Sequence, residues 1–219
     1  MSTVISSASA PLPKTVYRVE SIDLLRGLIM IIMALDHVRD YFHAGAVVFD
    51  PTDLSQTNII LYFTRWITHF CAPVFMFLSG TSAFLVGERK GRKALSRFLL
   101  TRGLWLVFLE FTVVNFGWYF NFPQPSIDFL VIWALGISMI ALAGLIYLPL
   151  PWILFISLAM VFGHNLLDDI SVPGNDLSSI LWSLFHQANF YQFKDFTLFV
   201  GYPVIPWIGV MALGYCLGK

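Results

Sequence analysis

The run Asp23-Leu-Leu-Arg26-Gly-Leu-Ile-Met-Ile-Ile-Met-Ala-Leu-Asp36-His37-Val-Arg39-Asp40-Tyr-Phe-His43 sets ionisable side chains at both ends of an apolar stretch. His37 lies eleven positions after Arg26, and eleven helical steps of about 100° return to within roughly 20° of the same face, about 16 Å further along. Arg26 and His37 therefore share a stripe. Charged groups are costly in hydrocarbon, so those that enter a span face a protein interior or an aqueous cavity. A neutral imidazole can act near pH 7 as general base, nucleophile or ligand. Asp36 beside His37, or Asp40 three residues on, could orient the ring through its second nitrogen. The competing reading is a hydrated helix end whose His and Asp side chains meet headgroups and water.

Four of the five histidines, His37, His43, His164 and His186, fall at or beyond one end of their apolar stretches, and His69 lies deeper in its own. Arg65 and His69 are four apart, and Glu110 sits in the middle of the next apolar stretch. Intramembrane charges pair with one another or line a polar path, so a contact from Arg65 or His69 to Glu110 is expected. Arg26 can pair with Asp23 three residues before it, or snorkel to headgroups. The row Ser79-Gly80-Thr81-Ser82-Ala83 would let either another helix or a ligand chain approach the backbone. Neither HxxxH nor HExxH occurs, and Cys71 and Cys216 stand singly, so no metal site and no disulfide framework is expected.

The elements that must position these residues are membrane helices. The chain is 58% hydrophobic and 12% charged, against about 25% charged in soluble domains. Its thirteen basic residues balance thirteen acidic ones, which leaves no field to attract nucleic acid. Stretches long enough for a roughly 30 Å core lie near 23–43, 58–87, 98–120, 128–148, 150–167 and 203–218. The fold class is thus an all-α polytopic bundle of about six transmembrane helices. Pro149 and Pro151 part the fourth from the fifth, and Pro73 predicts a kink in the long second.

Lys14, Arg18, Arg89, Lys90, Arg92, Lys93, Arg97 and Lys219 all fall on one side, which the positive-inside rule makes cytoplasmic, amino terminus included. Residues 1–20 lack an apolar core after a basic start and read as a disordered cytoplasmic tail, which leaves 21–219 as the transmembrane domain. The segment 168–202 is too polar to span but rich in aromatic residues. It reads as a re-entrant or interfacial piece over the outer mouth.

Four separated motifs carry a resemblance: Asp23-Leu-Leu-Arg26-Gly27, Asp36-His37-Val-Arg39-Asp40, His69-Phe-Cys-Ala-Pro73-Val-Phe-Met-Phe-Leu-Ser79-Gly80-Thr81, and Tyr202-Pro-Val-Ile-Pro206-Trp207-Ile-Gly209-Val-Met-Ala-Leu-Gly214-Tyr215. In that order, from about residue 17 onward, the chain resembles the bacterial relatives of the heparan-alpha-glucosaminide N-acetyltransferase catalytic domain. The Arg26 to His37 spacing is also similar to the start of the wider membrane acyltransferase family 3. The resemblance implies transfer of an acetyl group from cytosolic acetyl-CoA to an amino or hydroxyl group of a glycan across a bacterial inner membrane. The lysosomal branch points to His43, within Tyr41-Phe42-His43-Ala44, as acetyl acceptor, and the wider acyltransferases point to His37. His37 is preferred for its arginine partner and flanking acids, with His43 second. The family continues past a sixth span, so the complete site is expected to draw on helices beyond Lys219.

The expected catalytic set is His37, Asp36, Asp40 and His43, with Arg26, Arg39, His69, Ser79 and Gly80 as donor- or acceptor-binding residues. Acetyl-CoA is the expected acyl donor, without a metal, and a glycan acceptor and membrane lipid are the expected partners; a homo-oligomer stays open. The basic rim 88–93 would also suit the phosphates of coenzyme A. The alternative is a transporter or channel built on the same charged groups, although the sequence lacks the paired halves with broken helices that transporters often show.

Overall fold

Proline and glycine decide where the helices of this chain stop and how closely they pack. The structure, a computed structural model, describes residues 20–45 and 48–219, and the expected tail with Lys14 and Arg18 lies outside the described residues. Helix α1 (Glu20–Phe42) opens on Glu20 and Asp23 and closes on Arg39, charges that suit the helix dipole at both ends. The long second stretch divides at His69 into α2 (Ile59–Thr68) and α3 (Cys71–Lys90). Pro73 is the cause, because its missing N–H leaves the His69 carbonyl without a helical partner. Gly91, at φ +82°, is the one residue between α3 and α4 (Arg92–Leu109). The basic residues 88–97 therefore sit on two helix ends, not on an extended loop.

Helix α4 runs through a π-helical turn (Glu110–Val114) into α5 (Asn115–Tyr119). Strand β1 (Ser126–Phe129) leads to α6 (Val131–Leu145) and α7 (Leu150–Gly163), parted at Pro149 and Pro151. A 3-10 turn (His164–Leu167) is followed by α8 (Leu177–Phe185), the hairpin β2 (Asn189–Gln192) and β3 (Thr197–Val200), and α9 (Val204–Leu217). Among the described residues, three helical stretches, Ile59–Lys90, Arg92–Tyr119 and Leu150–Leu167, are long and apolar enough to cross a membrane; α6 and α9 are apolar but shorter.

The all-α expectation needs correction. β1, β3 and β2 form a three-stranded sheet in that order, with β1 parallel and β2 antiparallel to β3. Aromatic side chains fit a pleated, half-buried surface, and Phe190 pairs with Phe199 across the hairpin, their rings stacked 4.0 Å apart. Tyr191 ties the sheet to α8: its hydroxyl donates to the Ser179 carbonyl at 2.6 Å and lies 2.6 Å from the Ser183 hydroxyl.

Close helix pairs rest on small residues. A Cβ at Gly80 would strike the Met211 carbonyl, and one at Gly214 the Phe77 carbonyl, so α3 and α9 meet backbone to backbone. Thr81 adds a hydrogen bond to the Gly214 carbonyl at 3.0 Å. Gly103 and Gly136 bring α4 and α6 together in the same way. Around these contacts Met76, Leu95, Leu99, Leu142, Ile153 and Met211 form the apolar core.

The expected pairing of Arg65 or His69 with Glu110 is not what forms. Glu110 is fully buried, and its carboxylate accepts from the backbone N–H of Leu130 at 3.2 Å and of Trp133 at 2.8 Å. It caps α6, which has no side-chain cap at its own N-cap residue; free N–H groups at a helix start attract an anion. Asn115, equally buried, donates to the carbonyls of Glu110 and Asp128 and accepts from the Asp128 N–H. Tyr119 donates to the Asp128 carboxylate at 2.6 Å. This network fastens β1 to the π-helical turn. Glu110→Ala strips the acceptor from two N–H groups, each worth about 1–3 kcal/mol when left unsatisfied. A detergent thermal melt is expected to show a clear drop, and an unchanged melting point would refute the cap.

Candidate active site

The C-terminal end of α1 opens into a cleft of about 860 Å³. Asp36, His37, Arg39 and Asp40 of α1 line it together with Asp50 on the following loop, Arg65 of α2 and Trp118 of α5. Phe190, Phe199 and Tyr202 close it from the sheet and the turn before α9. Helical spacing places Met33, Asp36, His37 and Asp40 on one face, which is why one helix supplies so much of the wall.

Asp36 is the hub of the polar contacts. Its carboxylate accepts from Arg65 Nη1 at 2.9 and 3.1 Å and from the Thr68 hydroxyl at 2.8 Å, and it pairs with Arg39 Nη1 at 2.7 Å. Arg39 turns its other terminal nitrogen to Asp40 at 2.7 Å, and its side chain is only 11% exposed. Partial burial reduces screening by water and salt, so these contacts outweigh ordinary surface ion pairs. Through them α1 is tied to α2.

The expected orientation of His37 by Asp36 or Asp40 gives way to this arrangement. Both carboxylates face guanidinium groups, because a permanent cation with several N–H donors outcompetes a neutral imidazole with one. The exposed His37 ring instead lies against Trp118, with centroids 6.0 Å apart and planes tilted by 56°. Tyr41 stacks on the same indole at 5.1 Å and donates through its hydroxyl to the Gly117 carbonyl. On the loop, Asp50 accepts from the N–H and hydroxyl of Thr52, both at 2.8 Å. The backbone bond and then the hydroxyl hold its carboxyl below the usual carboxylate range.

The other candidates lie outside the cleft lining. His43 Nδ1 accepts from the Gly45 N–H at 3.1 Å, and His69 turns its Nδ1 to the Arg65 carbonyl at 2.8 Å. Arg26 sits three turns back along α1 with its Nε buried and without a hydrogen bond. Ser79 donates to the Phe75 carbonyl at 2.8 Å, and Gly80 faces α9, so of the two readings of that small-residue row the structure realises helix packing. Sequence reasoning missed Thr68, Trp118 and Tyr202 at the site and gave Arg65 the wrong partner. The i,i+3 pair Arg65 and Thr68 was a usable signal, whereas Trp118 left none.

A mostly helical, apolar protein with a charged cleft at the end of one helix has the build of a membrane enzyme or transporter. The chain matches the family model of the heparan-alpha-glucosaminide N-acetyltransferase catalytic domain over residues 18–219, and it belongs to that family of membrane acetyltransferases. No curated protein and no solved structure gives a significant match.

If Asp36 and Arg65 hold α1 to α2, a double-mutant cycle of Asp36→Ala and Arg65→Ala should return a coupling of about 0.5–3 kcal/mol in unfolding free energy. Strictly additive effects would mean that the pair contributes nothing.

Proposed function

We propose that the chain transfers an acetyl group from acetyl-CoA on the cytosolic side to an amine, or a hydroxyl, of a glycan on the exoplasmic side of a bacterial inner membrane. The acceptor site is the cleft at the end of α1, within a single transmembrane domain that begins near residue 21. The position of His37 on the cleft wall carries this reading. A free imidazole nitrogen takes the proton of the acceptor as its nitrogen or oxygen bonds to the acetyl carbonyl carbon. The carbon–sulfur bond then breaks, and the thiolate leaves with the proton from His37. A positioned base of this kind contributes about 10²–10⁴ in rate.

Three carboxylates, Asp36, Asp40 and Asp50, stand in the lining against two guanidinium groups, Arg39 and Arg65. That balance favours an amine-bearing acceptor over an anionic one. The aromatic wall of Trp118, Phe190, Phe199 and Tyr202 around a few polar groups is the usual make-up of a small-molecule site. Arg39 and Arg65 act by positioning, since they fix Asp36 and Asp40 away from His37.

The donor enters from the other end. A cavity of about 390 Å³ at the α3–α4 junction is lined by Arg92 and Lys219 together with Glu88, and cations there suit the phosphates of the coenzyme. The two cavities share no lining residue. The acetyl group therefore crosses the bundle on the donor's extended arm, to pass to the acceptor directly or by way of His37 as a transient carrier. The transport reading loses its intramembrane acid, because Glu110 is enclosed and committed to capping α6.

The test is acetyl transfer by the full chain in liposomes, with labelled acetyl-CoA on the basic side and a glucosamine-terminated oligosaccharide on the other. His37→Asn is expected to lower the rate by about 10² or more while the thermal melt stays unchanged, and His43→Asn to do less. Loss confined to His43→Asn would move the role to that residue. Full activity in both would refute a histidine mechanism.

A further inference from the structure

We infer that His164, Asp168 and His186 form a binding site for a zinc-class transition-metal ion that clasps the end of α7 to the end of α8. His164 opens the 3-10 turn after α7, Asp168 closes it, and His186 is the C-cap of α8. His164 Nδ1 and His186 Nδ1 are 3.1 Å apart, and His186 Nε2 lies 3.3 Å from Asp168 Oδ1. One ligand atom from each residue can be chosen so that all three lie within 4.8 Å of one another. Ligand atoms bound at about 2.0–2.2 Å in a tetrahedral site stand roughly 3.4 Å apart. Asp168, whose side chain is 56% exposed, has the freedom to close the remaining gap.

A second observation points to a ligand. His186 is 2% exposed, and its Nε2 is buried without a hydrogen bond although the Asp168 carboxylate is near. At 3.3 Å that contact has the distance of an ion pair but not the alignment of a hydrogen bond. A buried polar nitrogen without a partner is costly, and a bound ion, a water or strain is what usually accounts for one.

Two imidazoles and one carboxylate are the donor set of zinc and its neighbours, whereas calcium and magnesium demand oxygen ligands. Three protein ligands leave a fourth position for water. The Trp182 ring, its centroid 4.8 Å from that of His186 and its plane tilted by 48°, packs against the imidazole. None of the three residues lines the cleft, so the ion's role is structural. By holding α8 it steadies Ser179 and Ser183, which grip Tyr191 and with it the sheet beside the cleft.

The probe is zinc itself, added to the full chain purified without a polyhistidine tag and stripped with EDTA. The wild-type protein is expected to take up one equivalent and to melt at a higher temperature with zinc, and cobalt should give the visible absorption of a tetrahedral site. His186→Asn should weaken zinc binding by more than about 10²-fold, beyond the loss usual for an outer-shell contact. Should that variant fail to fold, the partly exposed His164→Asn and the exposed Asp168→Asn carry the same test. His43→Asn should bind zinc like the wild type. Failure of the wild type to retain an equivalent, or undiminished uptake by His164→Asn and Asp168→Asn, would overturn the site.

Discussion

Asp36 cannot stand alone near the end of α1, half-buried against α2, and the contacts around it set the geometry of the whole site. Two arginines and a threonine converge on its carboxylate, two of the three from α2. Those contacts fix where α1 ends relative to α2 and draw Arg39 onto Asp40. His37, next in sequence, is left with an indole for a neighbour and an open cleft in front of it.

The same constraint recurs elsewhere in the chain. Glu110 is enclosed because the N–H groups at the start of α6 supply what a cation would otherwise provide, and Asn115 meets the polar groups of β1 in the same region. Buried Glu110 and Asn115 thus serve as joints between elements. The π-helical turn belongs to this pattern, since it carries Glu110 at its start and is followed directly by Asn115.

The long helices, the break near Pro73 and the hairpin at Pro149 and Pro151 were legible, because they follow from hydropathy and from the missing proline donor. The sheet was not. Its strands are four residues long, and β1 pairs with a strand some seventy residues later, a distance that no local periodicity reports. Spacing along α1 correctly grouped Asp36, His37, Arg39 and Asp40 but could not assign their partners. Arg65 and Glu110 both needed a counterpart; Arg65 found a side chain, while Glu110 found backbone N–H groups, which leave no signature in sequence. The pairing of His164 with His186 was not legible for a related reason, since a 3-10 turn and a short helix bring them together from twenty-two positions apart.

The most direct test of a glycan acceptor in the cleft of α1 is photo-cross-linking of the full chain with a photoreactive glucosamine derivative, followed by peptide mapping. Cross-links are expected within residues 33–41 or at 114–118, which carry His37 and Trp118. Cross-links confined to residues 84–95 or 215–219, around the second cavity, would contradict that assignment.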